Sequence, residues 1–165
     1  MEFILQLQHS APMDWVRESG SLLGYPTILF LHTMGLATVA GLNGAIDLRL
    51  LGVGAKVPLS SLTRFFPFIW LAFGLTAVTG VILLIADAEA KLASPVFYVK
   101  LVFIVLALVN LHLLKRRVFA DPTVDTHPLT SQARLLALSS LVFWVGATTA
   151  GRLMAYLGPV GGLNQ

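Results

Sequence analysis

The amino-acid sequence predicts an all-α fold: an integral membrane four-helix bundle with a short N-terminal interfacial helix. Of the 165 residues, 56% are hydrophobic and 12% are charged, whereas a soluble domain has about 25% charged residues. The apolar residues form four stretches, each close to the ~20 residues that a helix needs to cross a bilayer. The length fits one domain, so residues 1–165 are interpreted as a single membrane domain.

The spans are placed by their apolar runs and by the polar residues between them. We predict them at about 26–51, 65–86, 96–114 and 133–157. Before the first span, the segment 12–24 places Trp15 among charged residues, which is typical of a helix lying at the membrane surface. The acidic segment 87–95, between the second and third spans, is interpreted as a turn.

The distribution of basic residues predicts the orientation of the chain. Four spans put both termini on one side of the membrane. The first and third connections and their flanks contain seven basic residues: Arg49, Lys56, Arg64, Lys115, Arg116, Arg117 and Arg134. The side of the termini contains four: Arg17, Lys91, Lys100 and Arg152. Because cytoplasmic connections are enriched in Lys and Arg, we expect both termini to lie outside the cytoplasm.

Composition excludes several classes of function. The sequence has no cysteine, which rules out disulfides, thiolate metal sites, cysteine nucleophiles and covalent c-type haem attachment through CxxCH. The net charge is only +3 and the basic residues are scattered, so nucleic acid is not an expected partner. The expected surroundings are the lipid bilayer.

The first span carries a stripe of polar and small residues. At about 100° per residue on a helix, His32, Gly35, Val39, Asn43 and Asp47 fall along one face. Ionisable groups within a span are costly, face the interior of a bundle and mark candidate functional sites. The sequence therefore predicts that this face is turned away from lipid.

Three polar residues from different spans are predicted to lie at one depth. His32 lies roughly 9 Å, Lys100 roughly 6 Å and Arg152 roughly 8 Å below the outer boundary, counting the rise per residue of a helix. His112 lies about 24 Å down, so it cannot share one iron with His32, since such bonds are about 2 Å long. The role of His112 stays open.

This layer of one imidazole and two cations predicts an anionic ligand. Haem b fits, with His32 as axial ligand of the iron and the propionates bound by cations. Lys100 is then either the second iron ligand or a propionate partner, and Arg152 holds a propionate. Two alternatives stay open: Lys100 and Arg152 extend to lipid headgroups, and His32 forms a hydrogen bond to a neighbouring helix.

Small and aromatic residues complete the predicted site. Gly35 lies on the face of His32 and is predicted to belong to the cofactor-binding site. Trp144 belongs to a stripe in the fourth span, spaced every four residues and ending at Arg152. Such a stripe fits either ordinary packing or one wall of a cofactor site.

The chain resembles a known family over nearly its whole length, from Trp15 to Tyr156. The segments that carry the resemblance are YPTILFLHTMGLATVAGLNGAIDLRLLG, FPFIWLAFGLTAVTGVILLIADAEAKLASPVFYVKL, LALVN and SLVFWVGATTAGRLMAY. They look like a family of uncharacterised bacterial four-span inner-membrane proteins, which implies that the side predicted to hold both termini is the periplasm. More distantly, His32 and Lys100 are similar to residues of CopD-type domains and of HemJ-type protoporphyrinogen oxidases, which implies a porphyrin-type ligand.

The resulting expectation is a membrane protein that binds haem b and acts in electron transfer or in porphyrin or quinone redox chemistry at the periplasmic side. A redox partner protein or a quinone would exchange the electrons, and a homo-oligomer is left open. Catalytic residues are not identified, and no enzyme class is assigned. The alternative is a cofactor-free accessory or structural subunit of a larger membrane complex, docked through the polar face of the first span.

Overall fold

A computed structural model of the protein describes residues 2–18, 20–121, 124–126 and 128–157. Within these ranges seven α-helices and no strand are found. They are α1 (Glu2–Gln8), α2 (Ala11–Glu18), α3 (Tyr25–Leu50), α4 (Phe65–Ala86), α5 (Ala88–Ala93), α6 (Pro95–Arg117) and α7 (Ser131–Leu157). A short 3₁₀ helix, Ser60–Arg64, leads into α4.

Four of these helices, α3, α4, α6 and α7, are long and apolar enough to cross a membrane. The prediction of an all-α, multi-pass membrane fold is thereby confirmed. α6 continues to Arg117, three residues beyond the predicted end at 114. Its last turn contains Lys115, Arg116 and Arg117, whose positive charges interact favourably with the carbonyl end of a helix.

The short elements differ in detail from the sequence prediction. The segment before the first span contains two helices, α1 and α2, where one was predicted. The segment interpreted as an acidic turn contains the six-residue helix α5. Its first amides are bound by Gln8, whose Oε1 accepts hydrogen bonds from the N–H groups of Ala88 at 3.1 Å and Glu89 at 3.2 Å. This contact fastens α5 to α1.

The long helices form two antiparallel hairpins, α3 on α4 and α6 on α7, which are joined through α3 and α7. We call the side that holds α1, α2 and α5 the terminal side, and the opposite side the loop side. Large fully buried apolar side chains are concentrated toward the loop side: Ile46, Leu50, Ile69, Leu111 and Leu114. The outward faces carry exposed apolar residues such as Leu71 and Val102, as expected for helices that face lipid.

Gly35 is the point of closest approach between α3 and α4. A Cβ atom built on Gly35 would overlap Thr76 Oγ1 and would lie 3.1 Å from the backbone oxygen of Ala72. Thr76 cannot simply yield, because its hydroxyl donates a hydrogen bond to the same Ala72 oxygen at 2.9 Å. Only glycine allows the two helices to pack at this distance.

We therefore expect Gly35→Ala to push α3 away from α4 and to lower the stability of the protein by about 1–3 kcal/mol, as overpacking does elsewhere. Gly41→Ala is the matched control on the same helix, because a Cβ there meets nothing within 4 Å. The measurement is the unfolding midpoint in detergent for both variants and the wild type. Equal midpoints for Gly35→Ala and Gly41→Ala would show that the close approach does not stabilise the fold.

Candidate functional site

His32 lies half-buried on α3 with its ring directed at α4. Its Nδ1 is 3.0 Å from the carbonyl oxygen of Thr76 and 3.2 Å from Thr79 Oγ1. Gly80 makes room for the ring, since a Cβ at that position would lie 3.0 Å from His32 Cε1. The histidine and α4 are thus fitted to each other over one turn of helix.

The hydrogen bonds of this ring determine its tautomer. A carbonyl oxygen only accepts, so Nδ1 carries the proton that is donated to Thr76. The hydroxyl of Thr79 donates to the Leu75 carbonyl at 2.7 Å, which leaves its oxygen free to accept from His32 as well. In the neutral ring Nε2 then has a free lone pair, and this is the arrangement found when a histidine binds a metal and its other nitrogen is held by a carbonyl group.

Lys100 of α6 lies close enough to His32 for its charge to act on the imidazole, and no described contact joins the two side chains. Its side chain is half-buried and runs along Gly151 of α7, where a Cβ would lie 3.7 Å from Lys100 Cε and 3.8 Å from its Nζ. The positive charge of Lys100 acts on both His32 and Lys91. Lys100 therefore belongs to the same electrostatic environment as the imidazole.

Lys91 is a third nitrogen group in this environment, and sequence reasoning missed it. It lies on α5 with 16% of its side chain exposed, donates to the carbonyl of Leu83, and has Asp87 Oδ2 at 3.8 Å. Burial lowers the pKa of the Lys91 ammonium, the Asp87 carboxylate opposes that shift, and the charge of Lys100 lowers the pKa further. The spacing of four residues between Asp87 and Lys91 was the available signal, because it favours a helix over a turn.

We call His32, Lys91 and Lys100 the nitrogen cluster. The other predicted site residues are Arg152, Gly35 and Trp144. Arg152 is exposed on α7. It follows Gly151, which faces Lys100, and therefore points about 100° away from that direction around the helix. No described contact joins Arg152 to the cluster. Gly35 is occupied by the packing of α4. Trp144 is buried among core residues, and its Nε1 atom has no partner among the described residues.

An apolar groove runs beside the cluster between α6 and α7. It has a volume of about 400 Å³, and its lining includes Val99, Phe103, Gly146 and Ala150. Val99 and Ala150 directly precede Lys100 and Gly151 in the sequence, so the groove and the lysine lie on adjoining faces of the same helices. Apolar space next to a cation suits a ligand that is largely apolar and carries an acidic group.

The cluster provides one nitrogen with a lone pair and two ammonium groups. Among the described residues there is no group of three or more His, Cys, Asp or Glu side chains that could hold a metal ion. A metal at His32 would therefore rest on fewer protein ligands, as iron does when a porphyrin supplies the remaining ones.

A model of a protein family of unknown function, DUF6644, matches residues 23–157. The chain belongs to this family. The matched segment contains all four long helices and the whole nitrogen cluster, and it bears out the predicted membership in a family without an assigned function. No curated protein gives a significant match, and no solved structure does.

The geometry of this DUF6644 member predicts the effect of filling the space at Gly80. Gly80→Ala would displace the imidazole of His32 by a few tenths of an ångström and weaken its bond to Thr76. We expect the ¹⁵N spectrum of histidine-labelled protein to show His32 as the Nδ1–H tautomer in the wild type, with a changed Nδ1 signal in Gly80→Ala.

The control for that spectrum is Gly74→Ala on the same helix, where a Cβ meets nothing within 4 Å. It should leave the His32 signals unchanged. An Nε2–H tautomer in the wild type would contradict the assignment and would remove the free lone pair from the site.

Proposed function

We propose that this protein binds haem b at the nitrogen cluster and acts in electron transfer or in redox chemistry with a porphyrin or quinone. One observation carries the proposal: the bond from His32 Nδ1 to the Thr76 carbonyl leaves Nε2 as a free ligand atom. We further propose that the cluster faces the periplasm of a bacterial inner membrane, because basic residues are concentrated on the loop side.

His32 would hold the iron and fix its position. Its ring is restrained by two acceptors on α4 and by contact with Gly80, so it cannot rotate freely. A hydrogen bond from the other nitrogen to a carbonyl group also raises the basicity of a ligating imidazole. When bound, haem supplies one-electron chemistry, whose potential depends on axial ligand, charge and burial.

Lys91 and Lys100 would bind the propionates. The described contacts include one carboxylate near these two ammonium groups, that of Asp87, and it is itself largely exposed. A dianionic ligand therefore finds uncompensated positive charge at this level. Lys100 is alternatively a second iron ligand, in which case its amine is neutral and Lys91 alone holds propionate. The proposal does not depend on Arg152.

The test is a reduced-minus-oxidised absorbance spectrum of protein purified in detergent from haem-replete cells. The wild type should show a haem b spectrum. Changes to residues around a metal ligand already cost about 10–100-fold in affinity, so His32→Ala should lower the haem content at least tenfold. His112→Ala is the control, because His112 is exposed on α6 near the loop side.

A colourless wild type, or an unchanged spectrum in His32→Ala, would refute the haem proposal. Loss of the spectrum in His112→Ala alone would move the site to the other side of the membrane. Lys100→Met separates the two roles of Lys100: a changed iron coordination spectrum indicates a ligand, and weaker binding with an unchanged spectrum indicates a propionate partner.

A second candidate, a cofactor-free accessory subunit, is favoured by the fact that the His32 hydrogen bonds join α3 to α4. In that case the imidazole only stabilises the bundle, and His32→Ala lowers the unfolding midpoint of a colourless protein. The polar face of α3 would not be the docking surface, because Gly35, Asn43 and Asp47 are buried within the chain. A partner would contact another surface.

A further inference from the structure

A second polar cluster lies in the loop-side half of the bundle, between α3 and α7. Its members are Asn43, Asp47 and Ser140, and each is 0% exposed. Asn43 Nδ2 donates to Asp47 Oδ2 at 2.9 Å and to Ser140 Oγ at 2.6 Å. We call these three residues the Asp47 cluster. It lies about 22 Å along α3 from His32 and takes no part in the proposed haem site.

Two oxygen atoms of this cluster have no hydrogen-bond partner among the described residues. They are Asn43 Oδ1 and Asp47 Oδ1, both fully enclosed by protein. Buried oxygen atoms are almost always paired with a donor, because an unpaired one loses its hydration without compensation. The cluster therefore has two acceptor atoms for which no described residue supplies a donor, although the Ser140 hydroxyl, which accepts from Asn43, can give its own proton to the Asp47 carboxyl group.

No described cation compensates Asp47. Its carboxyl group interacts with Asn43 and Ser140, and no charged group acts on it.

The charged side chains of the neighbouring elements are directed elsewhere or exposed. Arg49 donates to the carbonyls of Val57 and Ala55. On α6, Lys115 lies over the ring of Phe66 and His112 is exposed. On α7, Arg134 is exposed, and α4 has no charged residue.

An ionised carboxylate in this position would be strongly unfavourable. Burial of an unpaired charge within a membrane-spanning bundle costs several kcal/mol, and the group then takes up a proton instead. We propose that Asp47 is a proton-binding site, at which one proton converts the carboxylate into a neutral acid held by Asn43 and Ser140. The added O–H supplies a further donor to the cluster, and the charge of the site changes from −1 to 0.

Proton binding at this site acts on the packing of two helices. Asn43 and Asp47 lie on α3, and Ser140 lies on α7, the pair through which the two helical hairpins are joined. Loss of the proton would leave a buried negative charge in this contact. The protein therefore has a means by which the pH on the loop side alters the association of its two halves, whether or not haem is bound.

The direct test is infrared spectroscopy of the full-length protein in detergent at neutral pH. A protonated carboxyl group gives a carbonyl stretch distinct from the bands of a carboxylate. We expect this band in the wild type, a shift of it on labelling with ¹³C-aspartate, and its loss in Asp47→Asn. Asp87→Asn, which changes an exposed aspartate, should retain the band.

Absence of the band from the wild type at neutral pH would overturn the proposal. So would loss of the band when NaCl replaces choline chloride, because the cluster would then be a sodium site. If Asp47→Asn does not fold, the shift caused by ¹³C-aspartate in the wild type assigns the band to an aspartate, and Asp47 is the one buried aspartate that the structure describes. None of these readings depends on haem, so the two proposals fail independently.

Thermal unfolding gives a second, quantitative reading. A folded state that holds one proton more than the unfolded state loses stability as the pH rises. Between the pH at which an ordinary aspartate ionises and the pH at which the band is half lost, the folding equilibrium constant should fall by up to about tenfold per pH unit, and it should level off above that range. Asp47→Asn should remove this dependence, and an unchanged slope in that variant would contradict the assignment to Asp47.

Discussion

Polar groups inside a membrane-spanning helix must find partners within the protein, because hydrocarbon offers no hydrogen bonds. α3 has three such side chains on one face: His32, Asn43 and Asp47. His32 is paired with α4, and Asn43 is paired with Ser140 of α7. This requirement fixes how α3 is rotated against both neighbours. The two hairpins then pack against each other in one orientation, in which α3 contacts both α4 and α7.

The polar residues of this helix lie in two halves of the protein that differ in burial. Toward the loop side, large apolar side chains and the Asp47 cluster are fully enclosed. Toward the terminal side, His32, Lys91 and Lys100 are only partly buried, and the groove between α6 and α7 is open to the outside. The fully enclosed region toward the loop side admits a proton far more readily than a larger ligand.

The sequence correctly predicted the features that depend on one helix alone. The phase of α3 follows from its regular turn, and Gly35, Val39, Asn43 and Asp47 are indeed all buried. The depth of a residue in the membrane could likewise be estimated from its position along a helix, but the rotation of one helix relative to another could not be predicted. Arg152 was placed at the right level for the site, yet it is Gly151 that faces Lys100, and Arg152 is exposed. The difference is a shift of one residue around α7. Which of the two residues faces Lys100 depends on how α7 packs against α6.

Lys91 shows a different limit of sequence reasoning. Its position depends on α5, a helix of six residues that is too short to form by its own propensity. Gln8, eighty residues earlier in the chain, holds the first amides of α5. A tertiary contact thus creates the element that brings Lys91 to the site. The spacing of Asp87 and Lys91 favours a helix, but no local pattern in the acidic segment shows that Gln8 holds it in place.

His32 can serve as a tie between helices and as a metal ligand, because the two roles use different nitrogen atoms. Nδ1 is used by α4, and that bond is what prepares Nε2. A hydrogen bond between two helices, however, does not by itself account for the two lysines near the ring. The charge of Lys100 acts on the ring and on Lys91, and like charges at one level repel each other. A ligand that combines a metal with carboxylates would use the lone pair and would neutralise both ammonium groups.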